Sequence, residues 1–510
     1  MLVELLLAVT FIGGVAVLLA PDEFAPRLGF GWSLLPLLVS LYMFLTFDAA
    51  NNALLDGGDL AFETTAQWFA LGEQYALQYH VGLDGISMPL VVLTTVLTPA
   101  AMLSAWTPID DRKSQFYGLM LFMEASLLGV FVALDFFLWF VFWEFVLVPM
   151  YFLIAIWGGP RRKYAAIKFF VYTNIASLVM FVGFVALVFA TPGSTFDLPV
   201  VAQAITDGAV GPLVGVDAAT VKSIAFLLMF AGFAVKVPVV PFHTWLPDAH
   251  VEAPTPVSVM LAGVLLKMGT YALLRFNFTM LADVAAANAS LIAAFAVVSV
   301  LYGAMLALAQ QDLKRIVAYS SISSMGYVIL GLVAYTVHGV GGATFQMISH
   351  GLLSGLLFMC VGVIYNTTHT RMVGDLSGLA DRMPVTVGVF VAAAFGYMGL
   401  PLMSGFAAEF LVFAGAFGSE TLPAAPLYTA VAMFGIVIVA GYLLYAMQRT
   451  LFGPFEVDTD YDVVPAATHD AAPLVVLILL VVVLGSFPDL FYGMIQDASQ
   501  PVVALLGGGA

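Results

Sequence analysis

Apolar runs long enough to cross a bilayer follow one another along nearly the whole chain, and no water-soluble fold could bury them all. A hydrocarbon core about 30 Å thick needs roughly 20 consecutive apolar residues in helical form. Windows of that kind fall at residues 2–20, 31–47, 83–106, 115–133, 135–157, 164–190 and 222–246. They continue at 256–276, 287–309, 313–335, 341–366, 385–417, 427–452 and 471–492. Of the 510 residues 62% are hydrophobic and only 9% charged, which leaves little polar surface for solvent. In lipid every backbone donor must be satisfied within the protein, and continuous runs do this as helices. The predicted fold is an all-α polytopic membrane protein of about fourteen transmembrane helices. The first run, Leu2 to Ala20, carries Glu4 in place of a basic leader and reads as a retained helix rather than a signal peptide.

Two of these windows are interrupted. The seventh holds Pro238 and Pro241, and the twelfth holds the run GYMGLPLMSGF around Gly399 and Pro401. Proline lacks a donor and frees carbonyls of the preceding turn, which survives at membrane depth only inside protein or beside water. The twelfth window is too long for one straight span and reads as two half-helices or one long kinked helix. The breaks lie five helices apart, so helices 4–8 and 9–13 read as two inverted five-helix repeats with broken helices 7 and 12. The matching division is 1–110 for helices 1–3 and an outer loop, 111–280 for the first repeat, 281–455 for the second, and 456–510 for helix 14.

Basic residues set the orientation. Arg27, Arg112, Lys113, Arg161, Arg162, Lys163, Lys314, Arg315, Arg371, Arg382 and Arg449 fall on connections of one side, and only Lys222 and Arg275 on the other. By the positive-inside rule both termini lie outside a cell (plasma) membrane. Acids nonetheless outnumber bases, 32 to 16, for a net charge of −16. They crowd both sides: Asp48, Asp56, Asp59, Glu63 and Glu73 on one, and Asp110, Asp111, Asp375, Asp381, Glu456, Asp458, Asp460 and Asp462 on the other. A carboxylate-rich surface stays hydrated when salt screens its self-repulsion, which fits a salt-accumulating organism such as a halophilic archaeon.

The charges inside the spans carry the chemistry. Lys236 and Lys267 lie in helices 7 and 8, on either side of the Pro-rich break. Glu144 sits mid-span in LWFVFWEFVLVPMYF, Glu124 in LMLFMEASLLG, His350 in QMISHGLLSG, and Glu409 follows the second break in SGFAAEFLVF. An ionisable residue at bilayer depth costs about 2.5–3.5 kcal/mol on insertion scales, so such residues mark ion or proton paths by default. One titratable side chain on each of five helices, Glu144, Lys236, Lys267, His350 and Glu409, reads as a proton relay. Glu124 is a further candidate, equally readable as a single charge on a plain helix. His350 alone reads equally as a packing histidine.

Other chemistries are disfavoured. The lone cysteine, Cys360, lies in an apolar run, and no thiolate cluster for iron–sulfur or zinc is present. No G-x-G-x-x-G after a strand and no Walker A motif occurs, so redox and nucleotide chemistry are not expected in this chain. His243, Asp248 and His250 in PFHTWLPDAH read as capping and turn residues more readily than as metal ligands. Asn277-Phe-Thr and Asn288-Ala-Ser are sequons on a predicted outer connection.

The runs FWEFVLVPMYFLIAIWGGPRRKYAAIKFFVYT, KVPVVPFHTWLPDAHVEAPTPVSVMLAGVLLKMGTYALLRF, QDLKRIVAYSSISSMGYVILG and MISHGLLSGLLFMCVGVIYNTTHTR resemble the antiporter-like, proton-translocating membrane subunits of respiratory complex I. These are related to subunits of multi-subunit cation/proton antiporters. The resemblance covers helices 3 to 14. It is greatest to the subunit M branch, because the motif GFAAEF places Glu409 where sister chains carry lysine, and no long lateral helix follows helix 14. It implies a subunit of a redox-driven, proton-translocating quinone oxidoreductase, and it implies the relay roles of Glu144, Lys236, Lys267, His350 and Glu409. Quinone, iron–sulfur clusters and flavin would belong to partner subunits of the membrane arm and beyond, with no cofactor in this chain. The alternative is a cation/proton antiporter subunit without a redox partner. One departure stands out: Ser324 occupies a position where the family motif commonly has histidine, so a step from Lys267 to His350 is expected to need water. Moving a charge against roughly 180 mV costs about 4 kcal/mol. A Glu144–Lys236 pair at about 4 Å and effective dielectric 20 is worth about the same.

Overall fold

The computed structural model of the chain describes residues 1–507 apart from 50, 56–59, 72–74, 194 and 458–460. Asp56, Asp59, Glu73, Asp458 and Asp460 lie outside the described residues. Of the remaining surface acids, Asp48, Glu63, Asp110, Asp111, Asp381, Glu456 and Asp462 are exposed.

The spanning helices are α1 (Leu2–Leu18), α2 (Ala25–Leu45), α3 (Ser87–Ser104), α4 (Lys113–Val132), α5 (Phe136–Trp157) and α6 (Arg162–Ala190). A broken α7 comes next as α7a (Ala218–Lys236) and α7b (Trp245–Glu252), then α8 (Thr255–Met280), α9 (Ala289–Leu308), α10 (Leu313–Val333) and α11 (Val337–Thr368). A second broken helix, α12a (Pro384–Tyr397) and α12b (Ser404–Phe417), precedes α13 (Ala425–Thr450), α14 (Thr468–Ser486) and a terminal α15 (Asp489–Ala504). Among the described residues twelve helices are long and apolar enough to cross a membrane. With the shorter α1 and the paired halves of α12 they supply the fourteen crossings read from the sequence. The twelfth window is two half-helices, separated by a turn in which Gly399 adopts φ +74.

Two of the larger elements among the described residues were not expected. Residues read as a loop form an antiparallel hairpin, β1 (Ala61–Leu71) with β2 (Tyr75–Leu83). Its β-branched and aromatic residues support this, but their alternation with polar ones leaves no apolar window. The chain after 492 also stays helical: α15 buries Phe491, Ile495, Ala498 and Val502 at helical spacing, an amphipathic stripe rather than a spanning run.

α8 and α11 are buried along their apolar windows and form the core with α3 and α10, whereas α2, α7a, α13 and α14 keep one side uncovered. Where α3 begins, Asp84 accepts from the backbone N–H groups of Ala53, Ile86 and Ser87 and pairs with Arg275 at 2.5 Å, both side chains buried. Arg275 therefore belongs to α8 and not to a solvated connection. Asn277 is corrected likewise: it is buried and donates to Phe226 O at 3.0 Å, so that sequon offers no accessible acceptor. The N-terminal amine reaches Thr64 on the hairpin at 3.3 Å, and Asn52 donates to Ala498 O in α15 at 2.7 Å. The first residue thus lies on the hairpin, and α15 is tied to the segment that precedes it. At the opposite ends of the helices, Arg371 pairs with Asp312 at 2.6 Å and Lys314 donates to Ala253 O at 2.7 Å.

Candidate functional site: a buried polar line across the bundle

The site begins at the α7 break. Lys236 is the last residue of α7a, where the free carbonyl end of the helix favours a cation. The backbone groups released by the prolines find partners: Trp245 donates to Val235 O at 2.8 Å, and Ser299 accepts from Val240 N at 3.1 Å. Lys236 is itself 1% exposed, with its ammonium 5.0 Å from the Trp143 ring and 5.9 Å from that of Phe169. Desolvated cation–π contacts of this kind are worth about 2 kcal/mol.

The sequence predicted that Lys236 would pair with Glu144. In the structure the pair is open: one Glu144 oxygen accepts from Asn174 on α6 at 3.1 Å, and Lys236 Nζ has no hydrogen-bond partner. The reason is helical phase. Consecutive residues point about 100° apart, so when Trp143 faces Lys236, Glu144 turns toward α6 at the edge of the chain. It remains within electrostatic reach of Lys236.

Lys267 sits on a short α-helical stretch, Leu266–Ala272, between two π-helical ones, Leu261–Leu265 and Leu273–Met280. Widening of this kind frees a carbonyl, and π segments gather at functional sites. Lys267 Nζ donates to Ala262 O at 2.5 Å and meets His350 Nδ1 at 2.6 Å, with both side chains buried. The water expected between Lys267 and His350 is not needed, because α8 and α11 pack closely enough for contact. Gly263 and Gly351 permit that approach, since a Cβ on Gly351 would come 2.8 Å from Gly263 O.

Beyond His350 the polar line continues through hydroxyls. Ser320 and Ser324 of α10 both donate to the Tyr397 hydroxyl, at 3.1 and 2.9 Å. The Tyr397 ring lies 5.8 Å from that of His350. Ser349, beside His350, donates to Ser404 at the start of α12b at 2.9 Å. Glu409 is buried in α12b with Oε2 unpartnered, and its carboxylate lies against Gly399, where a Cβ would come within 2.9 Å. That glycine is required twice over, for its left-handed φ and for this approach. Phe406 and Phe410 flank Glu409 in sequence but face outward.

Of the five predicted relay residues, Lys267 and His350 touch, Lys236 and Glu409 are buried beside the α7 and α12 breaks, and Glu144 borders Lys236. Glu124 stands apart: it is buried on α4 with both oxygens unpartnered, near Thr98 of α3. His250 was read from sequence only as a turn residue or metal ligand. It is fully buried in α7b, stacked on Phe358 at 4.4 Å, with both ring nitrogens unpartnered and in electrostatic reach of Lys314 and Lys267. Asp248 instead bridges Lys168 (2.8 Å) and Arg315 (3.0 Å), tying α6, α7b and α10. Among the described residues no group of three or more His, Cys, Asp or Glu is placed to hold a metal ion.

Residues 133–438, which contain Glu144, Lys236, Lys267, His350 and Glu409 but not Glu124, match the profile of the family described as NADH:quinone oxidoreductase/Mrp antiporter, TM. The chain belongs to this family. Among its relatives is F(420)H(2) dehydrogenase subunit M of Methanosarcina mazei, 38% identical over 95% of this chain and 94% of that protein. NADH-quinone oxidoreductase subunit M of Rhodobacter capsulatus is 39% identical over 96% of this chain and 91% of the relative. A chain of respiratory complex I from Thermus thermophilus superposes with a TM-score of 0.86 at 29% identity, covering all of both chains.

Proposed function

We propose that the chain is the proton-translocating subunit M of the membrane arm of a complex I-type respiratory oxidoreductase, seated among other membrane-arm subunits. Quinone reduction in those partners drives protons along Glu144, Lys236, Lys267, His350 and Glu409. Quinone, iron–sulfur and flavin chemistry stays in the partners. The observation that carries this reading is the buried Lys267–His350 contact at 2.6 Å, held between two π-helical stretches. A cation and a base touching in a water-poor core can pass a proton between them without opening a channel. The Methanosarcina and Rhodobacter relatives are oxidoreductase subunits, which favours this reading over an antiporter without a redox partner. They are named for different electron donors at nearly equal identity, so the donor is set by other subunits.

The open Glu144–Lys236 arrangement is one of two states in this scheme. Closing the pair would exchange the Asn174 and Trp143 contacts for an ion pair worth about 4 kcal/mol at an effective dielectric of 20. Helices 4–8 and 9–13 act as two inverted repeats, each with its break beside a relay residue. The basic face of the bundle is the inner one, which places both termini outside the plasma membrane. Lys236→Ala and Glu144→Ala are expected to abolish most proton pumping in reconstituted vesicles while the complex still assembles, with Glu144→Asp milder. Wild-type pumping by an assembled alanine variant would sink the scheme.

A further inference from the structure

Between His350 on α11 and Glu409 on α12b, α10 lines the polar path with hydroxyls: Ser320, Ser321, Ser323, Ser324 and Tyr327 are buried, and α10 carries no imidazole. Ser320 and Ser324 lie one helical turn apart on the same face. The hydroxyl of Tyr397, the last residue of α12a, is held between them at 3.1 and 2.9 Å. Its ring meets the His350 ring edge-on at 5.8 Å. Two residues further on, Gly399 touches the Glu409 carboxylate, and the phenols of Tyr327, Tyr397 and Tyr442 all lie within electrostatic reach of that group. His350 Nε2, Glu409 Oε2, Ser323 Oγ and the Tyr442 hydroxyl are buried without a protein partner. Buried polar atoms without a partner are exceptions that call for an explanation.

We propose that Tyr397, positioned by Ser320 and Ser324, is the hydroxyl station through which protons pass from His350 to Glu409 across the α12 break. The inference rests on the relay reading of the function. A hydroxyl conducts without being charged at rest. As the His350 N–H bond breaks, a new O–H bond forms at the phenol oxygen, and the proton already on that oxygen leaves toward the Glu409 carboxylate. Water completes the steps longer than one hydrogen bond. Rotation of the C–O–H group then resets the station. The two serines hold the oxygen in place, and either can take up or return a proton as it turns.

Tyr397→Phe removes one oxygen and keeps the ring that packs on His350. In the complete complex, reconstituted in vesicles, pumping per quinone reduced should fall severalfold with assembly unchanged. Adding Ser324→His to that variant should restore much of the loss, because an imidazole on α10 supplies a station of its own. A purely structural tyrosine predicts neither result. Undiminished pumping by Tyr397→Phe overturns the proposal, as does a loss that the assembled double variant fails to recover. Should the histidine variant not assemble, Ser320→Ala with Ser324→Ala decides: it keeps the phenol but frees it, and full pumping overturns the proposal. Glu409→Gln, run in parallel, separates this failure from that of the relay. If the glutamine variant also pumps fully, the relay itself falls; if it is inactive while Tyr397→Phe is unaffected, only the hydroxyl station falls.

Discussion

At the scale of single residues the bundle places charge where the surroundings offer little to compensate it. Lys236 has two aromatic faces and no hydrogen-bond acceptor, and Glu409 has an oxygen with no donor. Breaking a buried ion pair by removing one partner costs about 3–5 kcal/mol because the other charge is stranded. A lone ionisable group at this depth is a functional-site candidate by default. Glu409 ends the line on the α12 side, which makes it the candidate for proton release. Glu409→Gln keeps the shape and hydrogen bonding but cannot titrate, so pumping should fall by about tenfold or more, equivalent to at least about 1.4 kcal/mol on the barrier. Glu409→Lys, which can still exchange protons, should retain part of the activity. Proton uptake in vesicles measures both, and full pumping by the glutamine variant would confine Glu409 to positioning α12b.

Elements hold these residues by their irregularities. The α7 break, the π-helical stretches of α8 and the α12 break each release backbone groups, and they lie beside Lys236, Lys267 and Glu409 respectively. Outside the spans, the hairpin is latched by His80, whose Nδ1 lies 2.5 Å from Asp197 and Nε2 2.9 Å from Glu63. Burial works against the imidazolium, but Asp197 and Glu63 outweigh it and raise the His80 pKa above its ordinary value of 6.5. A raised folded-state pKa means the latch contributes fully below about pH 6.5 and is lost as pH climbs through the raised value. Hydrogen exchange of the hairpin amides, corrected for intrinsic base catalysis, should therefore quicken above neutrality. His80→Gln should flatten that dependence. A pH-independent hairpin in the unaltered protein would contradict the latch.

The whole molecule carries a net charge of −16, with exposed carboxylates at both ends of the helices. Repulsion across such a surface reaches about 30 Å at 0.01 M salt and about 3 Å at 1 M. The purified complex should therefore shed subunits or lose activity on dilution into low-salt buffer and be protected by molar salt. Native electrophoresis and quinone reductase assays across a salt series test this. Indifference to ionic strength would remove the case for adaptation to concentrated salt.

The sequence alone determined the features that transfer energetics dictates. Fourteen apolar runs had to become helices, Pro238 and Pro241 had to interrupt one of them, and buried Lys236, Lys267, His350 and Glu409 had to face protein rather than lipid. These properties are local, summed over a window or fixed by a single residue type. Only the tertiary structure decided which groups touch. Lys267 meets His350 because glycines let α8 and α11 approach, whereas Glu144 turns to Asn174 because Trp143 takes the face beside Lys236. Arg275 and Asn277 looked like the end of a span because the apolar window closes at residue 276, yet α8 continues past them and Asp84 pairs with the arginine from 191 positions away. Tyr397 and His250 gave no signal by spacing, since a tyrosine or histidine at a helix break is ordinary in sequence. It gains meaning only when another helix brings a hydroxyl or an amine to it. Contacts between distant segments depend on helix phase and packing distance, and no one-dimensional pattern in this chain encodes either.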